Sequence, residues 1–208
     1  MSDTLWVLKY CELFVRLSPE QLTRIELHSR SRSFPANSPF ACHAAANGDE
    51  SMPVLVATRE LFGETAIFDS DARDGHVEAV APSTVVMIPA EEMRHLMAEG
   101  ADVALSITKM VGLYRHRIER RLGSLLFLSY RERLVQLLLD LADQFGCRRD
   151  EDDGIRLRIK LSHQELARLI GSRRETVTVI LGQLKAEGSV YGGRRRVVLM
   201  NPQRLVQV

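Results

Sequence analysis

The period of the apolar positions changes twice along this 208-residue chain, and the changes mark out three parts. The first opens with a short helical stretch from Leu5 to Arg16. Ser18-Pro19-Glu20-Gln21 follows as a helix start: Ser18 can cap, Pro19 suits the first helical position, and Gln21 stands where a capping box needs an amide. That pattern predicts a helix over Pro19–Ser29. Pro35, Pro39, Pro53, Pro82 and Pro89 then punctuate the chain. Short β-rich runs lie among them, over Val54–Thr58, His76–Val80 and Thr84–Ile88, and predict a small β-roll or barrel. The first part is taken as residues 1–89.

The second part, residues 90–128, reads as one long helix from Ala90 to Phe127. Ile107, Val111, Tyr114, Ile118 and Leu125 recur at spacings of 4, 3, 4 and 7, which puts them on one narrow stripe. Arg121 falls on the intervening heptad position, and Leu122 beside it can take its place. Arg115, Arg117 and Arg120 lie opposite. Such a stripe serves either as core or as a seam between two copies of the chain, and the helix length with the narrow stripe favours the seam.

The third part, residues 129–208, starts with a second capping box, Ser129-Tyr-Arg-Glu132, on a helix Tyr130–Phe145. Its apolar face is Leu134, Leu137, Leu138, Leu141 and Phe145, and Gly146 ends it. Ile155–Ile159 alternates with period two and predicts a strand. Ser162-His-Gln-Glu165 caps a short helix to Ile170, Gly171 breaks it, and Ser172-Arg-Arg-Glu175 caps another through Ala186. Two short helices joined by a tight glycine turn make a helix-turn-helix, whose second helix presents its first residues to the major groove. Arg173, Arg174, Glu175 and Thr178 lie there on the polar face. Arginine can fork onto guanine, and a carboxylate can accept from cytosine. Glu175 has two competing roles, as capping partner of Ser172 or as base reader, and spacing alone leaves both open. Gly192-Gly193 between apolar runs signals a hairpin, and Arg194, Arg195 and Arg196 beside it suit phosphates.

Charge sharpens this picture. Residues 1–100 carry 8 Lys and Arg against 15 Asp and Glu, whereas residues 101–208 carry 20 against 12. The net charge of +1 therefore joins an acidic half to a basic half suited to a polyanion. Cys11, Cys42 and Cys147 have neither the number nor the spacing of a disulfide framework or a cysteine-built metal site. His28, His43, His76 and His95 are dispersed without metal-ligand spacing. No membrane-spanning run or secretory leader is expected, which points to the cytoplasm.

Over nearly its whole length the chain resembles the Crp/Fnr family of bacterial transcription regulators. The residues that carry the resemblance are Leu161-Ser-His-Gln-Glu-Leu-Ala-Arg-Leu-Ile-Gly-Ser-Arg-Arg-Glu-Thr-Val-Thr, with Leu126-Phe-Leu-Ser129 and Leu61-Phe-Gly-Glu64. Residues 160–184 look most like the global nitrogen regulator branch. The resemblance implies an α+β chain with a shortened β-roll of the cyclic-nucleotide-binding type, a long dimerisation helix and a C-terminal winged helix-turn-helix. It implies a homodimer on pseudo-palindromic double-stranded DNA, with RNA polymerase as a further partner. It puts base reading on Arg174 and Glu175 and phosphate contacts on Ser162, His163, Gln164, Arg173 and Thr176. Val179 stands where the family has another arginine.

The sensor end departs further from the family. Between Phe34-Pro35 and Leu61-Phe-Gly63 the chain is shorter than the family norm by about fifteen to twenty residues, equivalent to about two or three strands at ~3.3 Å per residue. Gly63, Glu64 and Arg73 match an effector cassette, but Asp74 replaces its serine, and Ile118-Glu119 replaces the Thr-Ser that would meet a base. A carboxylate beside a phosphate opposes its binding, so cyclic-AMP sensing is not expected and no cofactor is assigned. Two alternatives stand beside a regulated DNA-binding dimer. One is a constitutive DNA binder whose N-terminal domain is only scaffold or protein-contact surface. The other is a small cupin-like metalloenzyme.

Overall fold

The computed structural model describes residues 3–36, 38–42, 55–56, 58–68, 76–148, 154–192 and 197–200. They form two compact units, one through Arg117 and the other from Ile118. The first contains α1 (Asp3–Lys9), a 3₁₀ turn (Glu12–Phe14), α2 (Pro19–His28), β1 (Arg30–Phe34), β2 (Ser38–Cys42), α3 (Thr65–Phe68), β3 (His76–Ala79), β4 (Ser83–Met87) and α4 (Ala90–Glu99). Helix α5 (Ala101–Phe127) begins there and continues into the second unit.

The capping box at Ser18 forms in full, with Ser18 accepting from the Gln21 N–H and Gln21 accepting from the Ser18 N–H. The first helical stretch is shorter than expected. Residues from Tyr10 to Leu17 turn through i→i+3 bonds, because Leu8, Cys11, Phe14 and Leu17 recur every third residue and all four are buried. Ile25, Met93, Leu96, Val103 and Ile107 join that cluster, which binds α2, α4 and the start of α5 into one core.

The β part is an antiparallel ribbon made of two separate two-stranded pairs. Strand β1 pairs with β4 from Arg30↔Met87 to Phe34↔Ser83, and β2 pairs with β3 from Ser38↔Ala79 to Cys42↔His76. The second pairing continues the register of the first until an irregularity between Pro39 and Ala41 adds one residue to β2. Proline has no N–H for the ladder, so a disruption beside Pro39 follows from its chemistry. The expected strands over 76–80 and 84–88 are present with slightly shifted ends. No strand forms at Leu55 and Val56, where one was expected over 54–58, and the rest of that run lies largely outside the described residues. The ribbon's other half, Arg30-Ser-Arg-Ser-Phe34, has little apolar alternation, so its strand state comes from pairing with β4.

The single helix expected over 90–127 is two helices. Gly100 takes an extended conformation (φ −149°, ψ 123°) and ends α4 with its N–H on the Leu96 carbonyl. Glycine's weak helix preference makes this the cheapest place to break. The break turns Met93, Leu96, Val103 and Ile107 toward the same core.

The second unit contains the end of α5, α6 (Tyr130–Phe145), β5 (Gly146–Arg148), β6 (Ile155–Leu157), α7 (His163–Ile170), α8 (Arg174–Ala186), β7 (Val190–Tyr191) and β8 (Val198–Leu199). The four strands form an antiparallel sheet in the order β5-β6-β8-β7. Strand β5 was not foreseen, because Gly146 was read only as a helix stop. Leu134, Leu138 and Leu141 from α6 are buried, as are Leu166, Leu169 and Ile170 from α7. Val177, Ile180, Leu181 and Leu184 of α8 and Val190, Val198 and Leu199 of the hairpin are buried too. Every buried side chain among the described residues is apolar. This is the winged helix-turn-helix expected from the sequence, although residues 193–196, with Arg194 and Arg195, lie outside the described residues.

Candidate nucleic-acid interface

Two local devices set the angle between α7 and α8. The capping box at Ser162 starts α7, with Ser162 accepting from the Glu165 N–H and Glu165 accepting from the Ser162 N–H. At the far end Gly171 adopts the left-handed conformation (φ 63°, ψ 45°), and the Ser172 N–H reaches back to the Ala167 carbonyl at 2.9 Å. This is a Schellman turn, which glycine enters without the strain that a side chain would bring. A Cβ at Gly171 would also stand 3.0 Å from Leu125 Cδ2.

The start of α8 differs from the expected cap. Arg173, not Ser172, is the N-cap, and no side chain caps it. The Ser172 hydroxyl donates instead to the Arg173 carbonyl at 3.2 Å, because its own N–H is consumed by the glycine turn. Glu175 therefore has no capping partner. The conflict between its two roles is removed, and the carboxylate is exposed on the first turn with Arg173 and Arg174. Among the described residues none of these three side chains carries a hydrogen bond or ion pair. Gln164 is likewise exposed, and Ser162 and Thr176 are half-buried.

Thr178 and His163 have a different arrangement from the one expected. The Thr178 hydroxyl donates to the Arg174 carbonyl at 2.9 Å, which leaves its oxygen to accept from His163 Nδ1–H at 2.8 Å. The two side chains therefore tie the start of α7 to α8. Burial, followed by the nearby positive charges of Lys185 and Arg174, holds the His163 imidazole below its usual pKa. It sits neutral at physiological pH.

Arg133 is a residue that sequence reasoning missed. Its guanidinium donates to the carbonyls of Leu125 (2.6 Å), Leu128 (2.9 Å) and Ile170 (3.4 Å) and lies over the Tyr130 ring. It thereby satisfies the end of α5 and the end of α7 together. Arg131 pairs with Glu187 at 2.7 Å, joining α6 to the end of α8. The available signal was an arginine one residue past a capping box, too common to single out. Arg121 is not on an outer seam: it is half-buried, its Nε and Nη2 lack hydrogen-bond partners, and burial lowers its pKa.

The rest of the expected seam divides. Ile107 is fully buried in the first unit's core, and Tyr114 donates its hydroxyl to the Leu61 carbonyl, so both are engaged within the chain. Ile107 turns inward to the core shared with α1, α2 and α4, and Tyr114 to the loop at 58–64. Val111 and Ile118 are exposed, as is Leu122, while Leu125 is half-buried near Gly171. In the same loop Arg117 forks onto Glu60 at 2.8 and 3.3 Å, and Arg59 lies over the Trp6 and Tyr10 rings. Burial, then the negative charges of Glu60 and Glu64, pushes the Tyr114 hydroxyl up to about 12. Gly63 (φ 77°) and half-buried Glu64 follow directly, leading into α3, whereas Arg73 lies outside the described residues. Among the described residues no group of three or more His, Cys, Asp or Glu could hold a metal ion. No described helix is long and apolar enough to cross a membrane.

Comparison with known proteins agrees with this architecture. Residues 132–208 match the Crp-like helix-turn-helix domain. The global nitrogen regulator of Synechocystis sp. is 30% identical over 162 residues, covering 77% of this chain and 71% of that protein. The chain belongs to the Crp/Fnr family. A CRP-like cAMP-activated global transcriptional regulator of Mycobacterium tuberculosis is 24% identical over 163 residues, covering 78% of this chain and 72% of that one. The c-di-GMP responsive global regulator CLP of Xanthomonas campestris has the same fold, with a TM-score of 0.72, 23% identity, and coverage of 88% of this chain and all of the other. The Crp/Fnr protein described here is thus a DNA-binding transcription regulator built on the cyclic-nucleotide-binding and winged helix-turn-helix plan.

Proposed function

We propose that this Crp/Fnr protein works in the cytoplasm as a homodimer that reads a pseudo-palindromic promoter site. The observation that carries the reading is the start of α8, where Arg173, Arg174 and Glu175 are exposed and have no partners among the described residues. Self-pairing would run along the apolar line of α5 through exposed Val111, Ile118 and Leu122 and half-buried Leu125. Two α8 helices would then enter successive major grooves about 34 Å apart. Arg174 and Glu175 address base edges, while Arg173, Thr176, Ser162 and Gln164, with Arg194 and Arg195 of the wing, address phosphates. His163 and Thr178 fix the angle between α7 and α8 rather than reading bases. RNA polymerase is the partner through which a bound dimer changes transcription.

The test is Arg174→Ala, measured by titration on a selected duplex and on a scrambled one. The selected duplex should lose about 1–3 kcal/mol of binding and the preference at one base pair, with little change on the scrambled duplex. Equal weakening on both would reduce Arg174 to a phosphate contact.

A second reading, constitutive binding, draws support from the loop before Gly63-Glu64. Tyr114 and Arg117 hold that loop on α5 through contacts made within the chain. Isothermal titration with cyclic nucleotides and with 2-oxoglutarate should give no saturable heat. Micromolar binding of either would overturn constitutive action and leave the DNA-binding reading in place.

A further inference from the structure

The outward line of α8 holds an apolar residue with most of its surface in solvent. Val177, Ile180, Leu181 and Leu184 define the buried face. Val179 lies between them in sequence but on the opposite side, one turn beyond Glu175, and is 59% exposed. A β-branched residue on a solvated helix face gains nothing from packing and loses side-chain freedom. The next turn of the same line carries Gly182, where an added Cβ would meet nothing within 4 Å. Glycine in a helix interior is disfavoured against alanine, and here no neighbour in the chain requires it. Both lie on the face that also presents Glu175.

We infer that Val179 is a specificity-determining residue that reads a thymine C5-methyl group in the major groove, next to the base pair addressed by Glu175. This rests on the proposed entry of α8 into the groove. Among the four bases only thymine offers an apolar group on the major-groove edge, and short apolar side chains are its natural complement. An exposed isopropyl group that stays in water outside the complex loses that hydration only against such a methyl. Gly182 adds the clearance that lets the helix approach closely beyond the contact. The half-site then carries a polar determinant from Arg174 and Glu175 followed by an apolar one from Val179. The predicted motif is one preferred thymine per half-site, set by shape and desolvation rather than by a hydrogen bond.

The experiment uses the full-length chain. Duplexes are selected from a random library with the wild type and with Val179→Ala, which is exposed and leaves the core unchanged. The wild type should select a thymine in each half-site that Val179→Ala no longer prefers, with the letters assigned to Arg174 and Glu175 unchanged. That thymine is then replaced by deoxyuridine, which lacks only the methyl. Wild-type affinity should fall about fourfold per half-site, the equivalent of ~0.8 kcal/mol for one buried methyl, while Val179→Ala should not respond. Val179→Thr, which keeps one methyl, should retain part of the response. A wild-type motif that is unchanged in Val179→Ala, or indifferent to deoxyuridine, overturns the role of Val179 alone. Failure of the wild type to select any motif overturns this inference together with the reading on which it rests.

Discussion

The two units treat their charged side chains in opposite ways. In the first, Arg24 forks onto Glu99, which also accepts from Gln21, and Arg117 forks onto Glu60. Those charges are spent inside the chain, holding α2 near α4 and the 58–64 loop against α5. In the second, Arg131 and Arg133 find partners behind the helix-turn-helix and brace it. The charges at the start of α8 are left unspent. An exposed ion pair adds little stability and an unpartnered exposed arginine adds less, so the exposed arginines at the start of α8 contribute little to the fold and are available to an anionic surface. The difference separates architecture from interface: a charge that is internally satisfied holds a shape, and a charge left over is available to a ligand.

The largest effect should come from removing the platform on which the unspent charges stand. Leu184 is fully buried under α8, and Leu184→Ala should cost about 2–5 kcal/mol by chemical denaturation, with DNA binding falling in parallel. Retained stability would mean that α8 is not anchored as described.

Next in size is the contrast between a bracing and a binding arginine. Arg133→Ala removes charge-assisted bonds to three carbonyls and should cost about 1.5–3 kcal/mol of stability. Arg173→Ala should leave the unfolding midpoint within about 0.5 kcal/mol of wild type while weakening DNA binding. If the two variants behaved alike in either assay, the division between architecture and interface would collapse.

The smallest effect concerns Asp140, whose carboxyl is held above the usual range chiefly by burial. A carboxyl with a raised folded pKa keeps its proton longer in the folded than in the unfolded chain. Stability therefore falls as pH rises from the ordinary carboxylate pKa through the raised one. Asp140→Asn should remove that slope and be neutral or stabilising at neutral pH, by less than ~1 kcal/mol after allowance for solvent screening. A destabilised Asp140→Asn would show that the carboxylate is satisfied by the neighbouring charges of Arg120 and Arg121.

Much of the second unit was legible because its signals are short-ranged. The capping boxes at Ser129 and Ser162, the left-handed turn at Gly171 and the i, i+3, i+4 apolar spacing each act within a few residues, so a linear reading finds them. The same reading misplaced the cap of α8. The glycine turn at Gly171 and a cap at Ser172 compete for one backbone N–H, and the turn prevails. The first unit was less legible because its decisive contacts are distant in sequence. Arg30–Phe34 becomes a strand through residues 49 to 57 positions away, and nothing in its own pattern announces that.

The sequence by itself determined the helix-turn-helix, its polar leading turn and the acidic-to-basic polarity of the chain, because periodicity, caps and charge are properties of neighbouring residues. Only the tertiary structure decided that the long helix breaks at Gly100 and that Ile107 and Tyr114 turn inward. It alone separated Thr178 and His163, which lock two helices together, from Arg174 and Glu175, which remain exposed. A stripe on a helix has no inside or outside until something packs against it, and that choice belongs to the rest of the chain.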